Sequence, residues 1–298
     1  MRRAVLIVNP FASAVTPARL RAVERELGAA ADLTTLFTER PRHATELAEE
    51  SPSDLDAIFV FSGDGGFNEA VNGADGVVPL GFVPGGGSSV LPRALGLPRD
   101  PVAASRRLAA ALAAGRRRRI SLGRVNGRRF AFTAGVGLDA ELVRRVDALG
   151  RARSGKRPGD LAFLWAVACA LAARRGRFEP ALDVAGHGRA AFALVSNGDP
   201  YTYAGPLAVH VAPEARFELG LDLVAPRRVT PATLPRLLRY ALTGRGQQSA
   251  PDILYAHDLD RIEIACDAPM PLQADGEDLG DVDGALFECE RDALSVLV

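Results

Sequence analysis

"FSGDGGFNEAVNG", residues 61–73, follows an apolar run and leads into a pattern typical of a helix. Gly63, Gly65 and Gly66 keep the start of this stretch free of side chains, so that successive backbone N–H groups can face a ligand. Together with the positive end of a helix dipole, such a turn is a common binding site for anions. Many glycine-rich turns only join a strand to a helix, and the spacing alone leaves both interpretations open.

The sequence around this stretch alternates between strand-like and helix-like runs up to about residue 115. Continuous apolar runs are typical of parallel strands, which are covered on both faces. Thr16 and Pro17 are the expected N-cap and first residue of a helix over 17–27. We therefore predict an α/β fold that begins with an open parallel sheet carrying helices on both faces. The predicted strands are AVLIVNP, LTTLF, DAIFVF and PLGFVP, and the further helices are HATELAEE and residues 103–114.

After about residue 120 the apolar runs become shorter and turns more frequent, which predicts a β-rich second domain. Two helical segments interrupt it, near residues 161–174 and 231–242. We place the boundary in the basic run 116–119, giving domains over residues 1–118 and 119–298. A return of roughly the last 12 residues to the first domain is also expected.

The composition indicates a globular protein without a net charge. Basic and acidic residues number 36 each, so no overall field attracts the chain to nucleic acid. The three cysteines, Cys169, Cys266 and Cys289, are far apart and lack CxxC spacing. This usage argues against a disulfide framework and a zinc site, and it favours a cytoplasmic location.

Three unusual loops follow three of the predicted parallel strands: VNPFASAVT, FSGDGGFNEAVNG and FVPGGGSSVLPRALGLP. Ligands of open parallel sheets bind at the carboxyl ends of the strands, so these loops are expected to meet at one edge. The second glycine run, GGGSS at residues 85–89, combines a permissive backbone with hydroxyl groups and a helix start. Two such loops at one edge favour a ligand site over two idle turns.

SGDGGFNEAVNG resembles the GGDGTxNEVxNG motif of the diacylglycerol kinase catalytic domain family, which includes bacterial lipid kinases and sphingosine and ceramide kinases and is related to NAD kinases. PGGGSSVLPRALGLPRDP is similar to the family's second glycine loop. The resemblance continues, in family order and over nearly the whole chain, through FTAGVGLDAELV, NGDPYTYAGPLAVHVAPEA and QADGEDLG.

This resemblance implies a nucleotide-binding domain, a lipid-substrate domain and a ligand cleft between them. It implies an ATP-dependent, Mg²⁺-requiring kinase that transfers the γ-phosphoryl group to the hydroxyl of a diacylglycerol-like lipid. By the same resemblance, Glu69 and Asn72 brace the motif loop. The residues expected at the nucleotide are Asn9, Pro10, Thr38, Ser62, Gly63, Asp64, Gly65, Gly66, Asn68, Glu69, Gly86, Gly87 and Ser88.

The family's acid-base position is matched by Asp275, Gly276 and Glu277. Phosphoryl transfer to an alcohol needs a carboxylate that accepts the proton of the attacking hydroxyl. The resemblance points to Glu277, with Asp275 second, and Asp64 is expected to steady Mg²⁺ or to anchor its loop. A solvated acidic turn is the competing interpretation of this segment.

Several positions depart from the family pattern. Gly66 stands where the family usually has threonine, and Gly87 where it has threonine or serine; Ser89 replaces an asparagine. Leu219 replaces an aspartate that holds a structural metal in many bacterial relatives, so that metal site is left unassigned. A weakly active or inactive member that still binds nucleotide or lipid is therefore a second hypothesis. An NAD kinase is a third, disfavoured because NEAVNG follows SGDG directly, as in the lipid enzymes.

Residues 161–173, LAFLWAVACALAA, form the longest apolar stretch and fall short of the roughly 20 residues that cross a bilayer. The N-terminal apolar run of about five residues is too short for a signal peptide. In a lipid kinase, 161–173 would line the lipid cleft, but a core helix preceded by a solvated basic loop is the simpler interpretation. The expected partners are a lipid alcohol substrate, the inner face of the membrane as a peripheral contact and, as a candidate, a second copy of the chain; nucleic acid is not expected. The basic residues expected at anionic head groups are Arg151, Arg153, Lys156 and Arg157.

Overall fold

The computed structural model describes residues 2–153, 169, 173–205 and 207–298. The chain divides into two compact units: Met1–Ser121 together with Arg291–Val298, and Leu122–Glu290. Within the described part of the chain, no helix is long and apolar enough to cross a membrane.

The first unit contains a parallel sheet in the strand order β2-β1-β3-β4, as predicted for the N-terminal part of the chain. Val296, near the C-terminus, pairs in parallel with Leu80 at the edge of β4. The strands are β1 (Arg3–Val8), β2 (Asp32–Phe37), β3 (Ala57–Ser62) and β4 (Leu80–Pro84), and the helices are α1 (Pro17–Gly28), α2 (His43–Glu49), α3 (Asp64–Gly73), α4 (Val90–Ala94) and α5 (Pro101–Ala114).

Helices cover both faces of this sheet, because its central strands are apolar at consecutive positions. Leu6 and Phe59 are fully buried in one core with Leu108 of α5, and α1 packs against α5. On the other side α2 packs against α3, and Phe67 of α3 meets Phe82 of β4 edge to face, with ring centroids 5.3 Å apart. The prediction of helices on both faces is confirmed.

The ends of the helices follow from local capping chemistry. The Thr16 side chain accepts a hydrogen bond from Arg19 N at 3.3 Å, and Pro17 is the first residue of α1, as predicted. Asp100 caps α5 in the same way, accepting from Ala103 N at 2.8 Å. These caps satisfy backbone donors that have no partner within their helices.

The second unit is rich in β-structure, as predicted. Its main sheet has the order β14-β13-β10-β7-β15-β16, and these neighbouring strands are antiparallel. Val136, Leu223 and Phe287 are fully buried in its core. The remaining elements in chain order are β5 (Arg117–Val125), β6 (Arg128–Phe130), β7 (Thr133–Val136), α6 (Leu138–Arg153), β8 (Leu182–Val184), β9 (Gly188–Ala190), β10 (Ala193–Ser196), β11 (Thr202–Ala204), β12 (Leu207–Val209), β13 (Leu221–Pro226), α7 (Leu234–Thr243), β14 (Ile253–Leu259), β15 (Arg261–Ala274) and β16 (Glu277–Leu297).

One helix of the structure was not predicted, and one predicted helix lies almost entirely outside the described residues. Helix α6 was not predicted, because the region after residue 120 was expected to contain only the two helical segments near residues 161–174 and 231–242. The helix predicted over residues 161–174 lies outside the described residues, apart from 169, 173 and 174. Lys156, Arg157 and the side chains of Arg151 and Arg153 also lie outside them.

Candidate nucleotide-binding site

A cavity of about 330 Å³ lies in the first unit, where β1, β2 and β3 end and α3 begins. The carboxyl ends of these neighbouring parallel strands meet at one edge of the sheet, so the loops that follow them converge. Six of the residues expected at the nucleotide line this cavity: Asn9, Thr38, Ser62, Gly65, Gly66 and Glu69.

The first residues of the loops are fixed to the neighbouring strands. Asn9 N donates to Phe61 O at 3.0 Å, and Thr38 N donates to Val8 O at 2.9 Å. The Asn9 side chain accepts a hydrogen bond from Phe11 N at 2.9 Å, which shapes the loop after β1. Phe11 also lines the cavity and is 78% exposed, although the sequence analysis did not single it out. Its place immediately after Asn-Pro in a predicted ligand loop was the available signal.

The two glycine-rich loops pack directly against each other. Gly85 N donates to Ser62 O at 2.7 Å, and a Cβ on Gly85 would lie 2.8 Å from that same oxygen. A Cβ on Gly86 would lie 2.9 Å from the Cα atom of Gly63. Packing of backbone on backbone therefore requires glycine at 85 and 86, whether or not a ligand binds.

Gly65 and Gly87 differ from these glycines, because packing gives no reason for either. Among the described residues, a Cβ at either position would meet no atom within 4 Å outside the residue's own neighbours, and neither glycine has a left-handed backbone. Gly65 is the second residue of α3, in the turn where helix amides lack intrahelical partners and the helix dipole is positive. These two glycines leave bare backbone that an anion can approach.

The acidic side chains of α3 hold neighbouring elements. Asp64 Oδ1 accepts from Leu91 N of α4 at 3.3 Å, which anchors the second glycine loop to the first. Glu69 accepts from Arg42 N at 2.9 Å and from Ala44 N at 3.2 Å, so its carboxylate caps the start of α2. These contacts show how Asp64 and Glu69 brace the loops around the cavity.

The remaining predicted nucleotide residues of this unit do not line the cavity. Asn68 is buried, and its backbone and side-chain oxygens accept from Asn72 Nδ2 at 2.9 and 3.2 Å. Ser89, which was not among the predicted nucleotide residues, is buried next to Ser88 with a left-handed φ of 44°, and its hydroxyl bonds to the backbone of Gly86. Asp64 is the first residue of α3, and the others lie in the adjoining loops: Pro10, Gly63, Gly86, Gly87 and Ser88.

Asp275 and Glu277 lie in the second unit and have contrasting surroundings. The Asp275 carboxylate is buried and accepts three backbone hydrogen bonds, from Ala131 at 2.6 Å, Phe132 at 3.0 Å and Thr133 at 3.1 Å. Glu277 is half exposed at the start of β16, and its carboxylate forms an ion pair with Arg128. Asp275 therefore has an evident role in holding the strand that begins at Thr133, whereas the role of either residue in proton transfer stays a prediction.

The segment FELGLDLV carries a buried carboxylate. Asp222 bonds to His257 Nδ1 at 2.8 Å and accepts from Tyr255 Oη at 3.2 Å and from Asp258 N at 3.2 Å. Burial raises the pKa of Asp222. Across the described residues, no three His, Cys, Asp or Glu side chains group in a way that suits a metal, and the site left open in the sequence stays unassigned.

Asp139, at the start of α6, is a buried carboxyl within FTAGVGLDAELV that no sequence pattern marked as functional. It accepts hydrogen bonds from Tyr201 Oη and Gln273 Nε2. Burial raises the pKa of Asp139 to about 6, because the two hydrogen bonds only partly offset the loss of solvation.

The raised pKa of Asp139 predicts a pH-dependent stability. The folded state holds the Asp139 proton more tightly than the unfolded chain does. As the pH rises from roughly 4 to 6, loss of this proton should therefore lower the free energy of unfolding by about 3 kcal/mol. Urea unfolding of the wild type and of Asp139→Asn across this range measures the effect, since the variant lacks the titrating carboxyl. Parallel pH dependences of the two proteins would show that Asp139 titrates normally.

Comparison with known proteins places the chain in a family. Residues 3–125 match the model of the diacylglycerol kinase catalytic domain, and residues 133–298 match that of the YegS C-terminal NAD kinase beta sandwich-like domain. The second match alone covers more than half of the chain. This chain belongs to the diacylglycerol kinase-like lipid kinase family.

Individual relatives are more distant. A diacylglycerol kinase of Bacillus subtilis (strain 168) is 34% identical over 149 residues, which are 48% of each chain. A relative from Streptococcus pneumoniae serotype 4 is 30% identical over 125 residues, 41% of each chain, so the matches span less than half the length of these curated relatives. The crystal structure of a diacylglycerol kinase from Bacillus anthracis str. Sterne superposes with a TM-score of 0.72 at 20% identity, covering 99% of this chain and 96% of that one, and shows a shared fold.

Proposed function

We propose that this chain is an ATP-dependent lipid kinase that transfers the γ-phosphoryl group of ATP to the hydroxyl of a diacylglycerol-like lipid. The observation that carries the proposal is the bare backbone of Gly65, which is open at the first turn of α3 and lines the cavity. A glycine that packing does not require, placed at the positive end of a helix, suits a phosphate group. Family membership connects this anion site to phosphoryl transfer.

The cavity also suits the nucleoside part of ATP. Its lining combines apolar side chains, among them Ile7, Val60 and the exposed ring of Phe11, with the polar groups of Asn9 and Thr38. Planar bases bind well against apolar and aromatic surfaces, while a few polar groups fix their orientation. We therefore place the whole nucleotide along this edge of the sheet, with its phosphates toward Gly65.

Mg²⁺ enters, in this proposal, with ATP as part of the substrate. Magnesium usually keeps several waters and is held by one or two carboxylates together with substrate phosphates, whose charge it neutralises. Asp64, the first residue of α3, is the carboxylate adjacent to the proposed phosphate site. Its Oδ1 atom accepts a hydrogen bond from Leu91 N, which orients the side chain.

Glu277 is the proposed acceptor of the proton from the lipid hydroxyl. Its side chain is 49% exposed, so a substrate can reach it, whereas the Asp275 carboxylate is occupied by three backbone amides. The ion pair with Arg128 holds the Glu277 carboxylate in place, as a positioned general base requires. We further propose that the enzyme meets its lipid by peripheral contact with the inner face of the cytoplasmic membrane.

A radiolabel transfer assay tests this function. The purified chain is incubated with [γ-³²P]ATP, Mg²⁺ and mixed micelles that contain diacylglycerol, monoacylglycerol, sphingosine or ceramide, with NAD in a separate reaction. Label in the diacylglycerol product is the expected result, and its loss in Glu277→Gln prepared identically excludes a contaminating kinase. ATP binding without transfer to any acceptor would instead support an inactive nucleotide-binding member, and labelled NADP would support an NAD kinase.

A further inference from the structure

Ser62, the last residue of β3, carries a buried hydroxyl at the wall of the cavity. The residue is only 2% exposed, and its Oγ atom has no hydrogen-bond partner among the described residues. Buried hydroxyl groups are normally paired, since leaving one unpaired costs free energy of folding. Because Ser62 also lines the cavity, a ligand there is a natural partner for this group.

The Ser62 side chain occupies the space that a side chain at position 66 would need. A Cβ on Gly66 would lie 2.8 Å from Ser62 Cβ and closer still to Ser62 Oγ. Gly66 has no left-handed backbone, and as the third residue of α3 it could otherwise carry any side chain. A side chain is therefore accommodated at position 62 or at position 66, but not at both.

We propose that Ser62 donates a hydrogen bond to a phosphate oxygen of the nucleotide across the bare surface of Gly66. This inference rests on the nucleotide site of the proposed function and assigns one of its hydrogen-bond donors. The proposal explains why glycine replaces the family's usual threonine at position 66. The hydroxyl group comes from Ser62 at the end of β3 and not from a side chain in the first turn of α3. Because position 66 has no side chain, the Ser62 hydroxyl can reach the ligand.

Isothermal titration with ATP, tripolyphosphate and adenosine tests the proposal on Ser62→Ala. We expect affinity for ATP and for tripolyphosphate to fall about tenfold, as for the loss of a hydrogen bond to a charged group, with adenosine binding unchanged. Ser295→Ala is the matched control: Ser295 is likewise 2% exposed, and its Oγ atom finds no partner in the part of the chain that the structure describes, but it does not line the cavity. Equal ATP affinity in wild type, Ser62→Ala and Ser295→Ala would overturn the proposal.

Moving the hydroxyl group gives an independent test. Gly66→Ser alone should lower both the melting temperature and the ATP affinity, because its side chain collides with Ser62. Ser62→Gly combined with Gly66→Ser should recover most of both. A double variant no better than Gly66→Ser, or a single variant that behaves as wild type, contradicts the proposed relation between the two positions.

The binding data also separate this inference from the proposed function. A wild-type chain that binds neither ATP nor tripolyphosphate would overturn both. Normal ATP binding that is insensitive to Ser62→Ala would overturn the donor role alone and leave the kinase proposal standing. A lower melting temperature of Ser62→Ala with unchanged affinity would show that the hydroxyl serves the fold and would likewise contradict the proposal.

Discussion

Gly65→Ala is expected to fold at least as stably as the wild type and yet to lose more than nine-tenths of its affinity for ATP. Alanine in a helix is more favourable than glycine by roughly 0.5–1 kcal/mol. Beyond its own helix, the new methyl group would meet no atom of the described residues within 4 Å. Helical Cβ atoms tilt toward the helix N-terminus, which is where the phosphate is proposed to bind. A tenfold loss corresponds to about 1.4 kcal/mol of binding free energy.

Thermal unfolding and ATP titration of the same preparation measure both halves of this expectation. Gly86→Ala is the contrasting variant, because its new Cβ would lie 2.9 Å from the Cα of Gly63. This collision should lower the free energy of unfolding by about 1–3 kcal/mol. Wild-type ATP affinity in Gly65→Ala would mean that the open glycine has no ligand, and the cavity would then need another explanation.

The second large effect is a loss of phosphoryl transfer, and it separates the roles of the carboxylates of Asp275 and Glu277. Glu277→Gln should reduce phosphoryl transfer by about 10²- to 10⁴-fold, the usual contribution of a general base. Its melting temperature should stay near the wild-type value, because the side chain is half exposed and an ion pair of this kind contributes little. Initial rates with saturating ATP, measured beside the melting curve, test this.

Asp275→Asn should instead lower the free energy of unfolding. The amide oxygen could still accept from Phe132 N and Thr133 N, which both bond Oδ1, but the amide nitrogen would then face Ala131 N, which bonds Oδ2. Two buried donors that face each other unpaired cost about 1–3 kcal/mol each. Full activity in Glu277→Gln would remove Glu277 from the mechanism. A stable but inactive Asp275→Asn would transfer the role of proton acceptor to Asp275.

The fold followed from local sequence patterns to a large extent. Continuous apolar runs predict buried parallel strands, and Thr16 followed by Pro17 marks the start of α1 because capping depends on neighbouring residues. The convergence of the loops followed from the geometry of parallel strands alone. Helix α6 was missed, since the glycines that precede it resemble the turns of a sheet-rich region.

The sequence could not show which glycines are required by backbone packing and which leave the backbone open to a ligand, because this depends on the fold. Gly86 faces the backbone of Gly63, whereas Gly65 faces open space, and both have the same appearance in a glycine-rich sequence. The amides that bind Asp275 are more than 140 residues away from it along the chain. No local pattern reveals such a partner. The resemblance ranked Glu277 above Asp275, but only the fold shows the physical difference between their surroundings.

The most direct test of the central claim is a titration followed at the glycine amides. Selective ¹⁵N-glycine labelling gives signals from 30 glycines, and comparison with spectra of Gly65→Ala and Gly87→Ala assigns the two open positions. Tripolyphosphate and ATP should shift the Gly65 and Gly87 signals and leave that of Gly115, at the C-cap of α5, unchanged. Saturable ATP binding that leaves Gly65 unperturbed would contradict the account.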